Sequence, residues 1–351
     1  MAKRQEQETA QTEVTEVGPN VIRMQLPIRM PGLGHVNMFA LIDGEGAAVV
    51  DPGLPGPATW KTIKERLKQA DLRVKNVHTV IVTHSHPDHF GGAARFAKEA
   101  GAEVIAHADF RFGVLESSDQ AEVSVDDLSG PENDEAHRQV LQGWNHKTPW
   151  GGEHPKPPFR SRWKWRVARV LGNSFIPTVT KPVRQGDRLR LAGREWFVTH
   201  TPGHTEDHIC LHCPEEQLFL AGDHVLPTIT PHISGLAISK DPLDNFFESL
   251  ELVGNLPDVE LALPAHGHPF GDLKGRTEAI KEHHYDRLDT VKRIGRELGP
   301  ATVQAISEKL FKPRSWGSMA ESETYAHLEH LRHAGNADAR RDKTGQLIYE
   351  L

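Results

Sequence analysis

The chain has 351 residues, 37% hydrophobic and 25% charged, with a formal net charge of −7. That balance suits a globular protein with one large core and a smaller satellite, and excludes a disordered chain. The acidic excess gives no global pull toward nucleic acid or an anionic membrane, and no segment approaches the ~18 uninterrupted apolar residues of a bilayer span.

Residues 1–16 are polar and mixed in charge, and read as a flexible N-terminal tail without the apolar centre of a secretory signal. Strands are expected at 21–28, 37–43 and 47–53, separated by glycine-rich turns. A helix follows over 60–70, with Trp60, Ile63 and Leu67 on one face and lysines opposite. The run 76–83 is a buried-type strand, 91–101 a helix closed by Gly101, and 102–107 another strand. This alternation predicts an α/β layer architecture.

The pattern breaks over 109–180, where acidic segments, a proline-rich hinge and a basic aromatic run suggest an ordered insertion forming a lid or pocket wall. Trp144, Trp150, Trp163 and Trp165 lie in it. They suit an acyl or aromatic pocket, or alternatively a helix packing its indoles on the core. Strands resume at 187–193, 194–203 and 208–223, followed by a helix at 241–256 and a strand at 260–267. Cys210 and Cys213 lack the second pair a closed zinc site needs and read as buried packing residues. With no secretory signal, the expected location is reduced and cytoplasmic. From 274 onward three helical patterns and a terminal hairpin turning at Lys343-Thr344-Gly345 describe a winged-helix domain.

Thr83 to Phe90, THSHPDHF, places three histidines and an aspartate at the end of a strand. His84 and His86 are two apart and emerge on one face of an extended chain, while Asp88 and His89 follow the turn at Pro87. Imidazole and carboxylate are first-choice donors for zinc. Two adjacent ions need more donors than one turn holds, and His204, Asp223 and His266 each follow an apolar strand-like run able to reach the same edge. Isolated histidines such as His107, His137, His212 and His327 are read as surface or satisfied core residues.

The H-x-H-x-D-H form, with an Asp ending an early strand (Asp51), a G-H-T histidine, a G-D aspartate and a late P-A-H-G histidine, resembles the metallo-β-lactamase superfamily. The terminal winged helix points to its lactamase-beta-like subgroup, which includes thioester hydrolases and an endoribonuclease. The resemblance implies an αββα sandwich over 17–273 followed by a winged-helix domain over 274–351. It implies that His84, His86 and His204 hold one metal, that Asp88, His89 and His266 hold the other, and that Asp223 bridges them. Asp51 would orient a ligand without binding metal itself. His208 and His224 have positional counterparts without an assigned role. Two zinc ions are implied, although the same donors accept manganese or iron.

Such a pair of ions makes hydroxide available at neutral pH, and Asp88 is the residue placed to orient it and take up its proton. The expected function is hydrolysis of a small-molecule thioester, ester or lactone. The alternative is a metal-dependent endoribonuclease or phosphodiesterase, which would need an extended positive track that this chain lacks. The last helix offers Glu321, Glu323 and Glu329 against Arg332, poor material for phosphate contact, so nucleic acid is not an expected partner. The C-terminal domain reads instead as a packing or homo-oligomerisation module.

Overall fold

The computed structural model describes residues 4–30, 32–112, 148–151 and 175–351. Trp144, Trp163, Trp165, His137 and the basic run 156–169 lie outside the described residues.

The first sheet runs in chain order. Strands β1 (Thr15–Gly18), β2 (Val21–Met30), β3 (Leu33–Ile42) and β4 (Ala47–Val50) are antiparallel neighbours. Helix α1 (Pro57–Gln69) then crosses to β5 (Val77–Ile81), parallel to β4, and α2 (Pro87–Phe90) and α3 (Ala93–Ala100) cross to β6 (Glu103–His107). Strand β7 (Lys181–Val183) pairs parallel with β6, so the expected insertion joins two adjacent strands. All four residues of β4 are buried, as the uninterrupted apolar run Ala47-Ala48-Val49-Val50 requires of a strand covered on both faces.

The second sheet comprises β8 (Arg188–Leu191), β9 (Arg194–His200), β10 (Ile209–Cys213), β11 (Leu218–Gly222) and β12 (Leu261–Pro264), in the order β12-β11-β10-β9-β8. Helix α4 (Pro242–Gly254), begun by Asp241 accepting from the Asp244 amide, makes the crossover between the parallel strands β11 and β12.

Three apolar clusters stack these elements. Phe39, Leu41, Val50 and Ile81 of the first sheet meet Trp196, Val198, Leu211 and Leu220 of the second. The outer face of the first sheet, including Val49, Val80 and Val104, packs on Trp60 and Ile63 of α1 and Phe96 of α3. Phe219 and Ala262 on the other outer face pack on Phe246 and Leu250 of α4. The result is a pair of mixed sheets with helices on both outer faces. Trp150 joins the last cluster at 4% exposure, so this indole packs in the core.

That last cluster continues into α5 (Leu273–Leu298), α6 (Val303–Leu310) and α7 (Ser318–His333) through Ile280, Val291, Ile306 and Leu328. A small sheet orders β13 (Ala301–Thr302), β15 (Leu347–Glu350) and β14 (Asp338–Arg341) side by side. Tyr349 of β15 is fully buried and donates its hydroxyl to Glu329 of α7.

The segment expected to be a flexible tail is docked from Gln5 onward. Glu6 is fully buried and accepts from the Thr228 amide at 2.7 Å, the Ile229 amide at 3.2 Å and the Thr228 hydroxyl. Farther along, the Gln11 amide donates to the Gln25 side chain and Arg66 donates to the Gln11 carbonyl. Hydrogen bonds order this segment, and a composition reading that looks for apolar burial does not see them.

Parallel pairing aims the carboxyl ends of β4 and β5, and of β11 and β12, at one edge of the sandwich. There Asp51, the 84–89 turn, Asp223 and His266 follow their strands directly, and His204 follows β9.

Glu6→Ala should lower stability by about 1–3 kcal/mol by stranding buried donors, with Glu6→Gln intermediate. Denaturant midpoints measure it, and a midpoint equal to wild type would mean that the docked segment contributes nothing.

Candidate metal centre

Asp51 leaves β4 in the left-handed region at φ 54°, which turns its carboxylate across the end of β5. Oδ1 accepts from the Thr83 amide at 2.9 Å, and Oδ2 accepts from the Thr83 hydroxyl at 2.8 Å and from His89 Nδ1 at 2.9 Å. The chain after His89 must then pass close by. A Cβ on Gly91 would sit 2.1 Å from the Pro55 nitrogen and one on Gly92 2.5 Å from the Pro52 carbonyl oxygen, so glycine is required at both positions.

All seven residues singled out in the sequence come together at this edge. Their donor atoms form two adjoining groups, His84, His86, His204 and Asp223 in one and Asp88, His89 and His266 in the other, each within 4.8 Å internally. Asp223 stands between them. Its Oδ2 lies 3.6 Å from His204 Nε2 and 3.5 Å from His89 Nε2, and its Oδ1 lies 3.3 Å from His266 Nε2. Asp88 Oδ2 is 3.6 Å from both His89 Nε2 and His266 Nε2.

Each inward-facing nitrogen is fixed by what the other ring nitrogen does. His84 Nδ1 bonds the Thr83 hydroxyl at 3.0 Å, His204 Nδ1 donates to the His232 carbonyl at 2.7 Å, and His266 Nδ1 donates to the His35 carbonyl at 2.6 Å. With His89 held on Asp51, four imidazoles present Nε2 to the centre. His86 presents Nδ1 instead, 2.9 Å from His84 Nε2 and 3.1 Å from His204 Nε2.

The atoms so collected fit a divalent cation. His89 Nε2, His266 Nε2 and Asp223 Oδ1 are buried without a hydrogen-bond partner, and three ring nitrogens crowd together at His86, where one N–H can serve only part of the lone pairs present. Electrostatics agree. Burial opposes charge on His89 and His266, but Asp223 and Asp88 outweigh it and hold both imidazoles above their ordinary range. Burial and neighbouring imidazoles push His84 and His86 well below it, keeping both rings neutral with one lone-pair nitrogen each.

Other groups support the loops. Asn37 donates to the carbonyls of Pro264 and Gly267 at 2.8 and 2.9 Å, holding the turn that bears His266. His208 accepts from the Asp223 amide at 3.0 Å and bonds the Thr201 hydroxyl at 2.7 Å, so it braces the aspartate from behind. A Cβ on Gly222 would meet His208 Nε2 at 2.6 Å. Ser85 donates to Asp207 at 3.0 Å, tying the 84–89 turn to the loop of His204, and burial pushes the Asp207 carboxyl up to about 7. His224 packs its ring on Phe246. Of the isolated histidines, His212 bonds the Asp258 carbonyl, His327 bonds the Glu323 carbonyl and His107 stacks on His200.

Residue types and spacing do not reveal His35, Asn37, His232 or the role of His208. A Thr-x6-His spacing inside the 201–208 loop is the one signal available for His208, and backbone carbonyls that anchor imidazoles leave no residue-type signal at all.

Comparison with known proteins converges on this edge. A family model described as metallo-beta-lactamase superfamily matches residues 31–266. The chain is 25% identical to a probable metallo-hydrolase, YqjP, of Bacillus subtilis (strain 168), over 87% of this chain and 91% of that one. It is 27% identical to a hydroxyacylglutathione hydrolase of Idiomarina loihiensis, over 76% of this chain and 68% of that one. Its fold resembles the crystal structure of a metallo-beta-lactamase family protein from Thermus thermophilus, at TM-score 0.70 and 27% identity, covering 95% and 99% of the two chains. With the matched segment covering most of the sandwich and the whole donor set, the chain belongs to the metallo-beta-lactamase superfamily and is a metal-dependent hydrolase.

Proposed function

We propose that this protein is a two-zinc hydrolase of small-molecule thioesters, with esters and lactones as related substrates. The observation that carries the reading is the pair of adjoining donor groups with Asp223 between them, buried except for a partly exposed His86 and with unpartnered inward atoms. His84, His86 and His204 would hold one ion, Asp88, His89 and His266 the other, and Asp223 would serve both. Bound there, the ions supply Lewis acidity toward the scissile carbonyl and activate water.

The chain's own groups do the rest. Asp51 and Thr83 fix the faces of His89 and His84, so donor positions change little during turnover. Asp88 directs one carboxylate oxygen at His89 and His266, and its carboxylate orients the attacking water and accepts its proton. The likeness to a hydroxyacylglutathione hydrolase supports a thioester as the substrate class. The C-terminal helices and hairpin are read as a winged-helix module serving packing or self-association.

Thiol release from a panel of acyl-coenzyme A and acyl-glutathione thioesters tests the assignment. Wild-type protein loaded with zinc should turn over at least one class, and Asp88→Ala should lose ~10²–10⁴-fold in rate. Metal content measured on the same sample separates lost chemistry from lost metal. No release from any thioester would sink the substrate class and bring lactones and single-stranded RNA forward.

Chelation supplies an independent check. Removing metal should lower the unfolding temperature, and zinc should restore it, because an ion at ~100 times its Kd adds about 2.7 kcal/mol to the folded state. Identical melting with and without chelator would count against a resident metal.

A further inference from the structure

The four Nδ1-anchored imidazoles do not share one kind of support. His84, His89 and His266 are held by Thr83, Asp51 and His35, all within the sandwich. His204 depends on the carbonyl of His232, which lies in the irregular segment 226–236. That segment has no strand or helix to hold it, so side chains from elsewhere do.

Glu6 binds its start through Thr228 and Ile229, and Arg276 of α5 donates to the carbonyls of Leu226 at 2.6 Å and Ile229 at 2.7 Å. The part nearest the anchoring carbonyl is held by α7. Glu323 Oε2 meets His232 Nδ1 at 3.3 Å, while its other oxygen pairs with Arg287 of α5. Ser322 Oγ accepts from the Gly235 amide at 3.0 Å and lies 3.4 Å from Ser234 Oγ. The approach is close enough that a Cβ on Gly235 would sit 2.5 Å from the Ser322 carbonyl oxygen.

We propose that Ser322 and Glu323 are positioning residues of the metal centre. By fixing the His232 carbonyl, α7 sets the metal affinity of the group built from His84, His86, His204 and Asp223, and leaves the group of Asp88, His89 and His266 unaffected. An imidazole whose Nδ1–H is bonded to a fixed carbonyl keeps its tautomer and ring angle, and its Nε2 is the more basic donor. Losing such a support costs ~10–100-fold in metal affinity. The C-terminal helices thereby become part of the centre. The inference rests on reading the two donor groups as two metal sites.

The test is zinc titration of metal-free protein against a chromophoric chelator, comparing wild type with Ser322→Ala, Glu323→Gln and His232→Ala, the last keeping the carbonyl but removing the ring that Glu323 meets. His204→Ala marks which equivalent belongs to its group. Wild type should bind two equivalents. In each of the three variants the marked equivalent should weaken ~10–100-fold, while the other equivalent stays at its wild-type affinity. Unchanged affinity of the marked equivalent would overturn the proposal, as would parallel weakening of both equivalents with a lowered melting temperature, the signature of a merely structural role. Fewer than two equivalents in wild type would instead overturn the two-site reading beneath it.

Discussion

Three carboxylates, Asp51, Asp88 and Asp223, lie side by side at one edge of the sandwich, none more than 7% exposed. Burying an uncompensated carboxylate is among the costliest things a fold can do, so positive charge has to be supplied beside each. Here it comes from imidazoles, which can act as proton carriers or as neutral lone-pair donors. His89 and His266 are drawn toward the charged form by the neighbouring carboxylates, whereas His84 and His86 are held in the neutral form by burial and by one another. The asymmetry follows from where the carboxylates stand, and a divalent cation satisfies both halves at once.

Holding such a cluster requires backbone supports that do not move. The sandwich supplies them through topology. Two parallel strand pairs, β4–β5 and β11–β12, come from opposite sheets and end at one edge, so the turns that follow them converge without long connections. Asp51 accepts a left-handed backbone to reach Thr83 and His89, and the glycines at 91 and 92 let the 51–55 segment close on the helix beyond. Strain at Asp51 and the steric demand at Gly91 are two sides of the same packing problem.

Much of this is legible in the sequence. Chemistry written as residue types at short spacing, above all His84 to His89, points to the centre, and strands with unbroken apolar runs point to the layers that carry it. The N-terminal segment looks loose in sequence because its order comes from Glu6, Gln11 and their distant partners Thr228, Gln25 and Arg66, contacts that no local pattern encodes. The carbonyls of His35 and His232 are invisible for a deeper reason. Any residue supplies a carbonyl, so only the fold decides which one an imidazole meets.

Helix α7 shows how a charge count alone can mislead about a surface. Its carboxylates at 321, 323 and 329 look in sequence like an exposed acidic face opposed to phosphate. In the structure Glu321 accepts from the Trp150 indole, Glu323 pairs with Arg287 and faces His232, and Glu329 accepts from Tyr349 and Arg332. Each is turned toward the protein, two of them toward segments that enter from far away in the chain. The helix therefore acts as a junction. Trp150 of the insertion, the loop behind His204 and the terminal hairpin each donate a hydrogen bond to it, so its polar residues are explained by what they hold together.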